Sequence, residues 1–270
     1  MLGKLIKYEF KATRKMLLLY GLLLILAVVM AVMFRFSFNS DSNAFMEAAL
    51  QKVRVSGLVR FFVFFFGAAY TFMNAFIFAA VLFIAVNRFR QNILGNQGYL
   101  MHTLPVKTEY HILTKNIVSV IWTILGVVAA LISYVIIAVI LMDRNTLAYL
   151  LQELFSINTV RIIFSNAKFW TMLVEFSVLT VISISELYFR IYASMAIGYS
   201  LNKHRAIASV GIFVVLSIAK SMPHSILLPI LAGGMTGWGF LMFEIIYAAA
   251  WGAIYYFITA WFLSKRLNLQ

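Results

Sequence analysis

Six apolar runs separated by polar or basic stretches organise this chain, at about 16–34, 60–86, 116–141, 171–199, 206–221 and 238–263. At ~1.5 Å per residue each run is long enough to cross a hydrocarbon core of ~30 Å, the fifth only barely. The pattern predicts an all-α polytopic membrane protein with six transmembrane helices. Ahead of the first run, residues 1–15 carry a helical period, with Leu2, Leu5, Ile6 and Phe10 on one side and Lys4, Lys7, Lys11, Arg14 and Lys15 on the other. That is the pattern of an amphipathic interfacial helix whose basic face meets anionic headgroups. Glu9 falls on the apolar side and interrupts it. The first run is too long for a signal-peptide core and no small-residue cleavage site follows, so it reads as a permanent span.

The connections differ in character. Residues 35–58 begin polar at Ser40-Asp41-Ser42-Asn43 and become helix-like through Phe45, Met46, Ala49, Leu50 and Val53. Residues 142–170 place Leu147, Leu150, Leu151, Leu154 and Phe155 at helical spacing, with Thr146 as the expected N-cap. Residues 87–115 form the longest polar segment between two apolar runs and read as a loop. After the fifth run come Pro223, Pro229, Gly233, Gly234 and Gly237, which argue against one continuous helix. Ser225–Ala232 remains very apolar, so a re-entrant pair of half-helices is expected before the last span. Broken backbone at membrane depth is tolerated only where protein or a water-lined cavity covers it.

Composition strengthens the membrane reading. Hydrophobic residues make up 63% of the chain, charged residues 11%, and there is no cysteine, which removes disulfides, thiol nucleophiles and thiolate metal sites. The net charge of +13 does not indicate a nucleic-acid partner, because the basic residues flank the apolar runs. They report orientation instead. With the N-terminus inside, thirteen basic residues fall in inner segments (Lys4, Lys7, Lys11, Arg14, Lys15, Arg88, Arg90, Lys107, Lys115, Lys203, Arg205, Lys265 and Arg266) and seven in outer ones. The positive-inside rule then puts both termini and residues 87–115 in the cytoplasm of a cell with this chain in its plasma membrane.

Ionisable residues within spans are functional candidates by default. Glu186 and Arg190 lie one turn apart near the middle of the fourth span and pair on one helix face. Two readings stand for them, a structural ion pair facing the bundle interior or part of a substrate path. Glu175, Lys220 and Glu244 fall towards the outer ends of spans four, five and six, where they pair with one another or line an exit. Ten of the 25 phenylalanines lie between Phe61 and Phe89. This aromatic run is either lipid and core packing or the wall of a cavity for bulky amphipathic molecules, with Phe65, Tyr70 and Asn74 on the path. Gly67, Ala68, Asn74 and Ala75 suit close helix approach.

An enzyme is disfavoured. Ser185-Glu186-Leu187-Tyr188-Phe189-Arg190 lacks the first acid of the Glu-Glu-x-x-x-Arg pattern of intramembrane proteases. None of His102, His111, His204 or His224 has the phenylalanine four residues earlier that accompanies it. No paired-histidine zinc motif, nucleophile elbow or phosphate-binding loop occurs.

The basic entry helix, the loop Gly98-Tyr99-Leu100-Met101-His102-Thr103-Leu104-Pro105-Val106, the segment Gly198-Tyr199-Ser200-Leu201-Asn202-Lys203-His204-Arg205 and the Pro/Gly-rich stretch before the last span together resemble the permease subunits of type-2 ABC exporters of Gram-positive bacteria. Asn96-Gln97 stands where those relatives often carry an acidic residue. The resemblance implies a homodimer, or a pair of related permeases, with two copies of a separate ATPase subunit that carries ATP and Mg; this chain itself binds no cofactor. Within 87–115, Gly98, Tyr99, Leu100, His102, Thr103, Leu104 and Pro105 would form the coupling helix. Tyr99, Leu100 and Leu104 would supply its apolar plug and Pro105 its stop. The expected function is export by alternating access of hydrophobic or amphipathic cargo, namely cytotoxic or antimicrobial peptides. The alternatives are multidrug or lipid efflux and a non-transporting membrane anchor or sensor for an ATPase.

Overall fold

The computed structural model describes residues 2–37, 57–95, 107–142, 144–201, 204–232 and 237–265. Its elements are α1 (Leu2–Thr13), α2 (Met16–Ser37), α3 (Gly57–Phe89) with a π-helical turn at Arg90–Leu94, α4 (Thr108–Leu141), α5 (Arg144–Leu154), α6 (Ile157–Ser165), α7 (Ala167–Tyr199), α8 (Arg205–Ala232) and α9 (Gly237–Lys265). Among the described residues there is no strand. Six helices (α2, α3, α4, α7, α8 and α9) are long and apolar enough to span a membrane. The protein is all-α and polytopic.

Several boundaries depart from the pattern. Much of 87–115 is helical: α3 continues to Phe89 and through the π-turn, and α4 starts at Thr108. The polar residues there sit on helix ends against other protein groups, an arrangement a hydropathy pattern reads as loop. Residues 142–170 hold two short helices, α5 and α6, and Thr146 lies inside α5 rather than at its N-cap. Among the described residues no re-entrant hairpin occurs. Instead α8 runs unbroken through Pro223 and Pro229. Each proline removes one backbone donor, whereas a break within an apolar segment would leave several unpaired groups at a cost of several kcal/mol each. The helix is the smaller loss. The expected helix around Phe45–Val53 lies outside the described residues.

The chain divides into two compact units. In the unit made of residues 14–81 and 122–167, α2 lies along the second half of α4. Tyr20 donates to the Trp122 carbonyl at 2.7 Å, and Arg35 donates to the Ile140 carbonyl at 2.8 Å. Arg35, read from sequence as the end of the first span, thus sits within α2 and places its cation at the C-terminal end of α4, where the helix dipole favours it. Tyr70 of α3 and Ser133 of α4 share a buried hydrogen bond of 2.6 Å. A Cβ on Gly126 would meet Tyr20 and Ile77 at ordinary contact distance, while one on Gly67 would meet nothing within 4 Å. The close approach expected at Gly67 is therefore not made there.

The other unit holds α1, residues 82–121 and everything from Lys168. Here α7, α8 and α9 run up, down and up. Glu186, Arg190 and Gly198 of α7 meet Lys220, Ser217 and Ser209 of α8 in antiparallel register. The reversal between α7 and α8 includes His204 at φ 52°, a left-handed conformation histidine tolerates better than most residues. The first part of α4 packs on α7: Asn116 donates to the Ser185 carbonyl at 2.9 Å, and the Ser119 and Tyr192 hydroxyls lie 3.1 Å apart. Phe89 stacks on Tyr192 with centroids 4.1 Å apart, both rings fully buried.

Candidate functional site

Three clusters of polar groups stand out in the unit that holds α1 and α7–α9, two of them on helices that are otherwise apolar. The first centres on Glu186, whose side chain is 2% exposed. Its Oε2 accepts from Lys220 Nζ at 2.7 Å and its Oε1 lies 3.6 Å from Arg190 Nε. Arg190 also donates to Ser217 Oγ at 3.3 Å and lies 5.2 Å from the Phe213 ring centroid. A Cβ on Gly252 of α9 would meet Glu186 at ordinary contact distance. One carboxylate therefore faces two cations, a set that a membrane interior tolerates only when mutually paired. The Glu186–Arg190 pair anticipated from spacing is present, but Lys220 is the closer partner.

A second cluster lies further along α8. His224 Nε2 is 2.7 Å from Glu244 Oε1, and the His224 ring lies 5.1 Å from that of Tyr247. Tyr247 donates its hydroxyl to the Lys220 carbonyl, next to the position where Pro223 removes a backbone donor. Glu175 belongs to neither cluster; Trp238 Nε1 donates to its Oε1, and among the described residues its buried Oε2 has no hydrogen-bond partner. Glu175, Lys220 and Glu244 thus do not pair with one another. Each has a different partner.

The third cluster joins α1 to the membrane helices. Glu9 receives Arg88 Nε at 2.6 Å, Arg88 Nη2 at 3.1 Å and Lys115 Nζ at 3.1 Å. Lys115 is 5% exposed. Burial pushes the Glu9 carboxyl upward, but the Arg88 hydrogen bond and the charges of Lys115 and Arg88 outweigh it and hold the carboxyl below its ordinary value. Thr13 closes α1 with its hydroxyl on the Glu9 carbonyl at 2.9 Å. The glutamate that interrupts the apolar face of α1 is what fastens α1 in place.

The sequence-nominated residues fall in both units. Phe65, Tyr70 and Asn74 belong to one unit; Glu175, Glu186, Arg190, Lys220 and Glu244 belong to the other. Phe65 is exposed and stacks near Phe61 at 6.2 Å. Tyr70 is buried on Ser133 and edge-on to Tyr134. Asn74 donates to the Tyr70 carbonyl at 3.0 Å. The nominated coupling residues Gly98, Tyr99, Leu100, His102, Thr103, Leu104 and Pro105 lie outside the described residues.

Residues the pattern passed over include Glu9, Arg88, Lys115, Ser217 and His224. Two carried a signal: Glu9 as the lone acid on an apolar face, and His224 one turn from Lys220. Among the described residues no three His, Asp or Glu side chains come together as a metal-ligand set. No family model, curated protein or solved structure matches the chain.

Proposed function

We propose that this chain is the transmembrane subunit of an ATP-driven exporter of hydrophobic or amphipathic molecules, working by alternating access beside a separate ATP-binding subunit. The observation that carries the proposal is the Glu9 clamp. It ties the interfacial helix to Arg88 at the end of α3 and to Lys115 in the first turns of α4, the two helices that bracket residues 96–106. A force applied to α1 passes through Glu9 to the same pair of helices. The chain has no phosphate-binding loop, so the energy for two alternating states comes from a partner that biases them. In this reading both termini and the 96–106 segment face the cytoplasm, in line with the basic residues around them. Amphipathic peptide is the cargo that fits an exterior with Phe61, Phe64, Phe65, Phe72 and Phe76 exposed along α3.

The test is reconstitution in liposomes with an ATP-binding subunit that co-purifies with the chain. Amphipathic peptide should stimulate ATP turnover and accumulate across the membrane. Neither peptide nor drug doing so would leave a non-transporting anchor as the surviving reading. Tyr99→Asp with Leu100→Asp should abolish the stimulation while membrane insertion stays normal; unchanged export would remove 96–106 as the coupling segment.

A further inference from the structure

A cavity of about 440 Å³ lies among α3, α7 and α8. Its wall is almost wholly apolar, with Leu82, Leu187, Met195, Val210 and Phe213 among the lining side chains. Among the described residues one charged side chain reaches it, Arg90, at the π-turn where α3 ends. Tyr199 at the end of α7 and Ala206 at the start of α8 line the same mouth. From Arg90 to Leu82 is about 12 Å along α3, and from Tyr199 to Leu187 about 18 Å along α7. Those lengths bracket one leaflet of a bilayer, whose hydrocarbon is about 15 Å deep. The two serines in the wall add little polarity, since Ser194 and Ser209 donate their hydroxyls to the Ile191 and Arg205 carbonyls of their own helices.

We infer that this cleft is a binding site for one acyl chain of an anionic phospholipid from the adjoining leaflet, with Arg90 holding the headgroup phosphate. The polarity is ordered for such a ligand. A cation and a tyrosine stand at the mouth, where headgroups lie, and a mostly aliphatic and aromatic wall extends inward. The first turn of α8 at that mouth carries no acidic residue, so its positive dipole end adds to Arg90 rather than opposing it. A zwitterionic lipid would bring its own cation towards Arg90 and gain less. A cavity this size would not stay empty beside a fluid bilayer, because acyl chains fill it without desolvating any polar group. The Phe213 ring at the deep wall also takes Arg190 at 5.2 Å, so a seated chain would press on the helix pair that carries the Glu186 network. The site does not depend on the export reading.

The experiment uses the full chain in mixed micelles with equimolar phosphatidylglycerol and phosphatidylcholine, counting retained lipid by native mass spectrometry. One phosphatidylglycerol per chain should be retained in about fivefold preference, the effect of one arginine near a surface phosphate. Arg90→Gln should lose the preference while still retaining lipid. Val210→Trp, and separately Leu187→Phe, should lose retention, with circular dichroism confirming that the helices persist. Glycerol phosphate, which has the charge without the chains, should not compete. Equal retention of the two lipids, an unchanged preference in Arg90→Gln, full retention in both filled variants, or displacement by glycerol phosphate would each overturn the assignment.

Discussion

A glutamate on the apolar side of an amphipathic helix looks like a flaw until its partners are found, and Glu9 has two. Glu9→Gln leaves the buried Lys115 and the half-buried Arg88 without a carboxylate, a loss of about 3 kcal/mol for a pair broken from one side. Trypsin should then cut at the exposed Lys4, Lys7 and Lys11 much faster than in the native protein; unchanged cleavage would mean the clamp does not hold α1. The same contact has a pH signature. The folded carboxyl titrates below its ordinary value of 4.5, so the charged form is the one the fold binds. Its contribution is complete above that ordinary value and is lost as pH falls through the lowered one. Release of α1 should therefore begin only in acid, with no change between about pH 6 and pH 8 from this group.

Glu186 also serves two cations, but all three groups lie within long apolar helices. Glu186→Gln strands both Lys220 and Arg190 in an apolar bundle and should cost about 3–5 kcal/mol. Lys220→Met leaves Glu186 its neighbour Arg190 at 3.6 Å and should cost clearly less. Thermal unfolding in detergent compares the two; equal losses would remove Glu186 as the centre of the network. The i,i+4 spacing made half of this readable in the sequence. Lys220 was not, since it lies 34 residues away and its partner depends on how α8 is rotated.

At the scale of elements, α8 and its junction with α7 carry the clearest lessons. Two prolines and a glycine cluster read as a break, yet both prolines sit inside one helix of 28 residues. Pro229→Ala restores a backbone donor for the Ser225 carbonyl and should slow amide exchange over that turn; faster exchange would indicate that the proline is needed where it stands. Gly198 is the opposite case. A Cβ there would lie 2.7 Å from the Ser209 backbone nitrogen and 2.2 Å from its Oγ, and backbone cannot yield as a side chain does. Gly198→Ala should destabilise by about 1–3 kcal/mol through forced separation of α7 and α8, and Ser209→Ala should not rescue it. Nothing in the hydropathy pattern separates Gly198 from Gly67 or Gly211, beside which a Cβ meets open space. Only the facing helix distinguishes them.

At the scale of the whole molecule, the number and kind of spans were legible from the pattern of apolar runs. Lipid solvation is a property of each run by itself: a helix of sufficient apolar length satisfies its own backbone wherever its neighbours lie. Six runs therefore meant six helices, and the basic flanks supplied an orientation for the proposal. The contacts that matter for function are not local. Glu9 meets Arg88 across 79 residues and Lys115 across 106, and the Arg90 cleft needs three helices side by side. Such contacts depend on helix rotation and register, which a run of apolar residues leaves free. Among the described residues, tertiary packing chose the partners of Glu9 and Glu186, kept α8 whole through its prolines, and left an apolar cleft with a cation at its mouth.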